Sequence, residues 1–117
     1  MNKLIAYMKC STCIKAKKHL DNLNVEYEIQ DIKLDNPDEV QIDKLIKLSG
    51  LDINKFFNTS GLVYKSLNLK DKIKTLSYED KIKLLASDGM LVKRPILLFN
   101  DQVIVGYKQE VYEKISN

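Results

Sequence analysis

Leu4-Ile5-Ala6-Tyr7-Met8-Lys9-Cys10-Ser11-Thr12-Cys13-Ile14-Lys15-Ala16 is the stretch on which the reading of the fold depends. Its first half, Leu4 to Met8, is a short apolar run, the pattern of a buried strand. The period then changes. Cys13, Ala16, Leu20 and Leu23 fall at i, i+3, i+7 and i+10, one face of a helix, with Lys15, Lys17 and Lys18 elsewhere. Asn22 and Asn24 end that helix. Val25, Tyr27 and Ile29 alternate with Glu26, Glu28 and Gln30, which predicts a second, half-exposed strand. Strand, helix and strand within about 30 residues form a βαβ unit, with parallel strands and a right-handed crossover.

Beyond this unit the middle of the chain reads helical. Asn36-Pro37 supplies a capping residue and a proline at the first helical position, Val40, Leu45, Ile46 and Leu48 supply apolar positions, and Ser49-Gly50 supplies a stop. Another short helix follows Asp52, and Asn58-Thr59-Ser60-Gly61 reads as a loop by its turn residues. Ser77-Tyr78-Glu79-Asp80 resembles a capping box that opens a helix through Ser87, with Ile82, Leu84, Leu85 and Ala86 apolar. After Asp88-Gly89 the texture returns to strand. Ile96 to Phe99 and Val103 to Val105 flank Asn100-Asp101-Gln102 as a hairpin, and a last helix, about Lys108 to Ser116, turns Val111, Tyr112 and Ile115 inward. The order βαβ, helices, ββα predicts an α/β protein with a four-stranded mixed sheet. This is the thioredoxin-like fold with a helical insertion, about residues 36–88, between its halves.

The 117 residues amount to roughly one average domain, so residues 1–117 read as a single unit. A hydrophobic share of 44% against 30% charged, with two prolines and four glycines, excludes collagenous, low-complexity and disordered classes. The net charge of +3 is a mild excess and no signal for direct nucleic-acid binding. No apolar run approaches the ~20 residues needed to cross a bilayer, and the start shows no leader pattern, so the expectation is a cytoplasmic protein with no membrane partner. Two cysteines three apart are too few for a secreted disulfide scaffold.

Those cysteines carry the chemistry. Cys10 lies where a strand hands over to a helix, and the orphan N–H groups and positive dipole end there favour a thiolate. Cys-X-X-Cys motifs in this position have thiol pKa values below the free value. Ser11 and Thr12 add hydroxyl donors near the same sulfur, and Lys9 adds positive charge. Cys13, one turn on, can attack a mixed disulfide formed at Cys10. The chemistry implied is thiol–disulfide exchange with a Cys10–Cys13 redox disulfide, Cys10 the nucleophile and Cys13 the resolver. Two alternatives stand beside it. A structural zinc site needs four ligands, and two thiols with the lone His19 do not supply them, so no metal is expected; His19 lies off the apolar face and reads as a solvated helix residue. A pair of inert core cysteines is the other alternative.

Arg94 stands out because every other one of the 19 basic residues is a lysine. A single arginine suggests a site that needs a planar, forked cation, the alternative being a surface ion pair. It precedes Pro95, which opens the third strand; in the thioredoxin fold this loop carries a cis proline facing the cysteine motif, so Arg94-Pro95 is expected cis and beside Cys10. The lysines at 70, 72, 74, 81 and 83 read as solvated faces, and Tyr64, Tyr78, Tyr107 and Tyr112 as edges of the core. Asn58 to Gly61 either lines the thiol pocket or is an ordinary loop.

With Asn58-Thr59-Ser60-Gly61, Leu69-Lys70-Asp71-Lys72, Leu85-Ala86-Ser87-Asp88-Gly89-Met90-Leu91, Lys93-Arg94-Pro95 and Val105-Gly106-Tyr107-Lys108 added to the cysteine motif, the chain resembles the arsenate reductase-like (ArsC/Spx/MgsR) family over essentially its whole length. The resemblance implies Cys10 as the redox or nucleophilic cysteine and Arg94 as the residue facing it; with Cys13 they are the expected catalytic residues, and Ser11, Thr12, Asn58 and Pro95 are expected to bind substrate. It implies a disulfide-containing protein or small thiol as partner, a glutathione-like thiol or a thioredoxin or glutaredoxin as electron donor, no bound cofactor, and a monomer. Family arsenate reductases hold the oxyanion with three arginines; here only Arg94 matches, with Asn58 and Tyr107 at the other two places, and bidentate contacts are lost. Spx-type regulators share a Cys-X-X-Cys switch and bind the C-terminal domain of the α subunit of RNA polymerase. Gly50 either corresponds to a glycine of that contact or only ends its helix. Thiol–disulfide oxidoreductase, Spx-type regulator and arsenate reductase are thus the three activities in view.

Overall fold

The computed structural model describes residues 2–115. Four strands, β1 (Lys3–Ala6), β2 (Glu28–Asp31), β3 (Ile96–Phe99) and β4 (Gln102–Val105), form one mixed sheet in the order β2-β1-β3-β4. β1 and β2 are parallel, with Leu4 opposite Ile29 and Ile5 opposite Gln30; β1–β3 and β3–β4 are antiparallel. The first helix, α1 (Ser11–Asn22), connects β1 to β2. The insertion holds α2 (Glu39–Ser49), α3 (Leu62–Ser66), α4 (Leu69–Lys72) and α5 (Tyr78–Ser87), with short 3-10 turns at Ile53–Phe56, Ile73–Thr75 and Gly89–Leu91. The last described helix is α6 (Gln109–Tyr112). The end expected for that helix from the sequence, Ser116, lies outside the described residues.

Because side chains alternate across a strand, the sheet feeds two cores. Leu4, Ala6, Leu97 and Phe99 pack with Cys13, Ala16, Leu20 and Tyr112 under α1 and α6. Ile5 and Ile96 face the other way, into Ile42, Leu45, Ile46, Ile82 and Leu85 of α2 and α5. α1 buries Cys13, Ala16 and Leu20, three of the four positions its period marks out. α5 begins at its capping box, with the Ser77 hydroxyl accepting from the Asp80 N–H at 3.1 Å. Gly50 ends α2 in the left-handed conformation (φ 68°), where a glycine carries no Cβ penalty.

Four local expectations differ from what forms. β2 is shorter and its parity inverted: Ile29 is exposed and Gln30 buried. β2 is an edge strand, and the Gln30 amide is satisfied by exchanging hydrogen bonds with the Gln41 side chain (2.7 and 3.1 Å) and donating to the Asp35 carbonyl (2.8 Å). α2 starts at Glu39, not Pro37, because Asp38 is the cap, accepting from Gln41 N–H at 2.8 Å, while Asn36 donates to the Pro37 and Ala86 carbonyls. That shift turns Val40 to solvent and brings Ile42 in. The β3–β4 loop is two residues, Asn100 and Asp101, both at positive φ, with Gln102 already paired to Phe99.

Candidate active site

Cys10 is the N-cap residue of α1, in extended conformation (φ −96°, ψ 123°), with its carbonyl accepting from Ile14 N–H at 3.1 Å. Its own N–H donates to the Tyr7 carbonyl at 2.9 Å, closing the turn that lifts the chain off β1. As the N-cap its side chain lies at the start of the helix, where the first turn holds no acidic residue. Partial burial pushes the Cys10 thiol up. The backbone N–H and thiol of Cys13, the Thr12 N–H and the Arg94 side chain outweigh it, and the net pKa lies below the ordinary thiol value.

Cys13 is different. It is fully buried, its sulfur accepts from Tyr7 N–H at 3.4 Å, and burial pushes its pKa up to about 11. The outer thiol is half-exposed and the inner one sealed. An outer sulfur disposed to be thiolate beside an inner one that stays protonated can attack and then be displaced, in that order.

Arg94 sits behind this pair. Its guanidinium carbon lies 5.3 Å from the centroid of the Tyr7 ring, a cation–π distance. Nε and Nη1 are buried without a hydrogen-bond partner, and Arg94 makes no ion pair among the described residues. Two nitrogens of the fork thus have hydrogen-bonding capacity that the fold does not use. The Arg94-Pro95 peptide is cis, Pro95 is buried, and its carbonyl accepts from Gly106 N–H at 2.8 Å.

The remaining candidate residues divide. Thr12 reaches Cys10 through its main-chain N–H rather than its hydroxyl, and Ser11 is exposed one residue on. Asn58 bonds instead to the segment leading to Arg94: its N–H donates to Leu91 at 2.7 Å and its side-chain amide to Met90 at 3.4 Å. A Phe57–Val92 bridge and a Lys93–Phe56 hydrogen bond at 2.7 Å fasten the same insertion loop to that segment. His19 corrects the sequence reading. It is half-buried, with Nδ1 2.8 Å from the Tyr107 hydroxyl and its ring 5.8 Å from those of Tyr107 and Tyr112. Two aromatic residues 88 positions or more away make this packing, and no local pattern announces it. Tyr7 is the residue that sequence reasoning missed: its N–H holds one sulfur, its carbonyl anchors the other cysteine, and its ring lies under Arg94. Its place three residues before Cys10 is the only signal.

A thiol pair at the βα junction, with a cis proline and an arginine arriving from the ββα half, defines a thioredoxin-like protein with a helical insertion. The chain belongs to the ArsC family, whose family model matches residues 6–115. It is 44% identical over 108 residues to YusI of Bacillus subtilis (strain 168), covering 92% of each chain. It is 25% identical to the regulatory protein MgsR of the same organism, covering 95% of this chain and 86% of MgsR. Among solved structures, an ArsC family related protein from Bacteroides fragilis superposes with a TM-score of 0.92 at 48% identity, covering 97% of this chain and 95% of that one. Among the described residues no helix is long and apolar enough to cross a membrane.

Proposed function

We propose that this protein is a thiol–disulfide oxidoreductase. The Cys10 thiolate attacks a disulfide, and the departing sulfur leaves with the electron pair; on an oxidised thiol such as a sulfenic acid it attacks the sulfur and the hydroxyl oxygen leaves with the pair, as water once protonated. Cys13 then gives up its proton and attacks the Cys10 sulfur, releasing the reduced product and leaving a Cys10–Cys13 disulfide. A low-molecular-weight thiol or a thioredoxin-type protein returns the two electrons. Arg94 holds an anionic group of the substrate and helps keep Cys10 ionised; Thr12 contributes its N–H, and Ser11, Asn58 and Pro95 shape the surroundings. The supporting observation is the asymmetry of the two sulfurs, one half-exposed at a helix N-terminus with a lowered pKa and one buried with a raised pKa. The test is trapping with Cys13→Ser: a stable mixed disulfide at Cys10 is expected, and its absence across a range of oxidants contradicts the reading.

A second reading, a redox-sensing transcriptional regulator acting through the α subunit of RNA polymerase, is favoured by the likeness to MgsR over nearly the whole chain. There the same pair is a switch. Binding to the polymerase α domain that changes with the redox state of Cys10 and Cys13, without turnover, supports this reading over the first. Arsenate reduction is the weakest of the three, since Arg94 is the chain's only arginine.

A further inference from the structure

β1 and β2 run parallel, and grooves at the carboxyl ends of adjacent parallel strands are where such sheets receive ligands. A groove of about 270 Å³ lies there, lined by Tyr7, Met8 and Lys9 after β1 and by Asp31, Lys33 and Leu34 at the end of β2. It adjoins the thiol site directly, because Lys9 is the residue before Cys10. Its volume is below the roughly 300–1,000 Å³ of a drug-sized ligand pocket and suits a side chain rather than a whole cofactor.

The wall beyond β2 is built, not loose. The Asp31 carboxylate accepts from Lys33 N–H and Leu34 N–H, both at 2.8 Å, and the Asp31 carbonyl accepts from Asp35 N–H at 2.8 Å. This ordered turn presents Leu34 with 86% of its surface exposed, although the sheet has an apolar core to offer on either side. Two exposed cations, Lys9 and Lys33, border the groove, and neither has an ion-pair partner among the described residues. The one acid present, Asp31, is turned to the backbone N–H groups of its own turn.

We propose that this groove receives a protein substrate: an extended, acidic segment carrying the target disulfide, with an apolar side chain within about two residues of its cysteine, a reach of roughly 7 Å in extended chain. The assignment rests on the thiol–disulfide reading above and adds its substrate class. The apolar side chain covers Tyr7, Met8 and Leu34, and the flanking acids meet Lys9 and Lys33. A glutathione-type disulfide supplies acids but no apolar side chain, and so fills only half of the site.

The test uses the Cys13→Ser chain and two short peptides whose cysteine is a mixed disulfide with thionitrobenzoate. One has leucine and glutamates beside its cysteine; the other has serine and lysines. The Cys10 thiolate attacks the peptide sulfur, the new sulfur–sulfur bond forms, and thionitrobenzoate departs with the electron pair and is read by its absorbance. The leucine–glutamate peptide is expected to react about tenfold faster, mostly through faster encounter. That ratio cancels any change in the thiol itself. It is expected to fall in part in Leu34→Ser, which removes the apolar contact and keeps the charges, and to invert in Lys9→Glu/Lys33→Glu, where the lysine peptide becomes the better substrate. Equal rates for the two peptides, or a ratio that survives both sets of substitutions, overturns the groove assignment. Neutral hydroxyethyl disulfide separates the two levels: if it forms an adduct at Cys10 while the ratio is one, the groove alone fails, and if it forms none, the thiol chemistry fails with it.

Discussion

The Arg94 guanidinium carbon lies over the Tyr7 ring, 5.3 Å from its centroid, and Tyr7 also provides the carbonyl that holds the Cys10 N–H at 2.9 Å. One residue at the end of β1 thus orients both the nucleophilic cysteine and the cation beside it. Two of the guanidinium nitrogens are buried without partners, so the arginine contributes little hydrogen bonding to the fold. Its chemical and structural effects are separable.

Arg94→Met keeps most of the apolar stem and removes the charge. Alkylation of Cys10 at neutral pH is expected to slow by roughly two- to threefold, because the Arg94 contact is the smallest of those that hold the thiol pKa down, while unfolding free energy changes by less than about 1 kcal/mol. Rates by mass spectrometry and a urea titration check the two halves. A large loss of stability with unchanged reactivity contradicts this placement of Arg94.

Tyr7→Leu retains the main-chain bonds of Tyr7 and deletes the ring under the guanidinium. The cation–π contact contributes about 1 kcal/mol, so a partial effect is expected, smaller than that of Arg94→Met and in the same direction. If the double variant is no slower than Arg94→Met alone, Tyr7 acts through the arginine; simple additivity means that it does not.

The buried Cys13 thiol gives the protein a pH dependence of known sign. Burial raises its pKa to about 11, so the unfolded chain loses this proton first. The stabilisation is complete below the ordinary thiol range and is lost as pH rises towards 11. For Cys10, with its lowered value, the contribution has the opposite sense and disappears as pH falls through the folded pKa. Urea midpoints of Cys10→Ser between about pH 8 and 11 are expected to fall more steeply than those of Cys10→Ser/Cys13→Val.

Gly89 has no room for a side chain: a Cβ there collides with the Ile32 carbonyl oxygen. Both atoms are held by main chain, Ile32 through its N–H to the Ala6 carbonyl at 2.9 Å. Gly89→Ala is expected to destabilise by about 3 kcal/mol or more, the upper end of overpacking costs. A neutral urea titration contradicts the close approach.

Gln41→Ala removes the amide that donates to Gln30 at 2.7 Å and leaves the buried Gln30 oxygen without that donor. A loss of about 1–3 kcal/mol is expected, recovered in part by Gln30→Leu/Gln41→Ala, which removes the unmet acceptor as well. Thermal unfolding of the two variants beside the parent chain distinguishes a structural amide pair from an incidental one.

The architecture was legible because strong local signals agreed with it. The apolar run at Leu4 to Met8, the helical period through Cys13, Ala16 and Leu20, the capping box at Ser77 and the two short strands after Asp88 each name an element, and the order of elements restricts the topology. The thiol pair was legible for the same reason, since strand and helix fix where Cys10 falls. Arg94 was legible by rarity and by its proline. What the sequence did not show is set by long-range contact. Gln30 is buried because Gln41 meets it across the edge of the sheet, and His19 is half-buried because Tyr107 and Tyr112 close over it from the far end of the chain. The start of α2 moved because Asn36 bonds to Ala86, leaving Asp38 to cap. Local pattern cannot choose between two adjacent capping residues when a distant carbonyl decides.

The account stands on Cys10 being the ionised, reachable member of the pair. Timed carbamidomethylation across about pH 4 to 10, quantified separately for the Cys10 and Cys13 peptides, measures this in one experiment. The expected result is modification of Cys10 with a midpoint below the ordinary thiol value of about 8.5, while Cys13 stays unmodified throughout. A Cys10 midpoint at or above that value, or faster modification of Cys13, contradicts it.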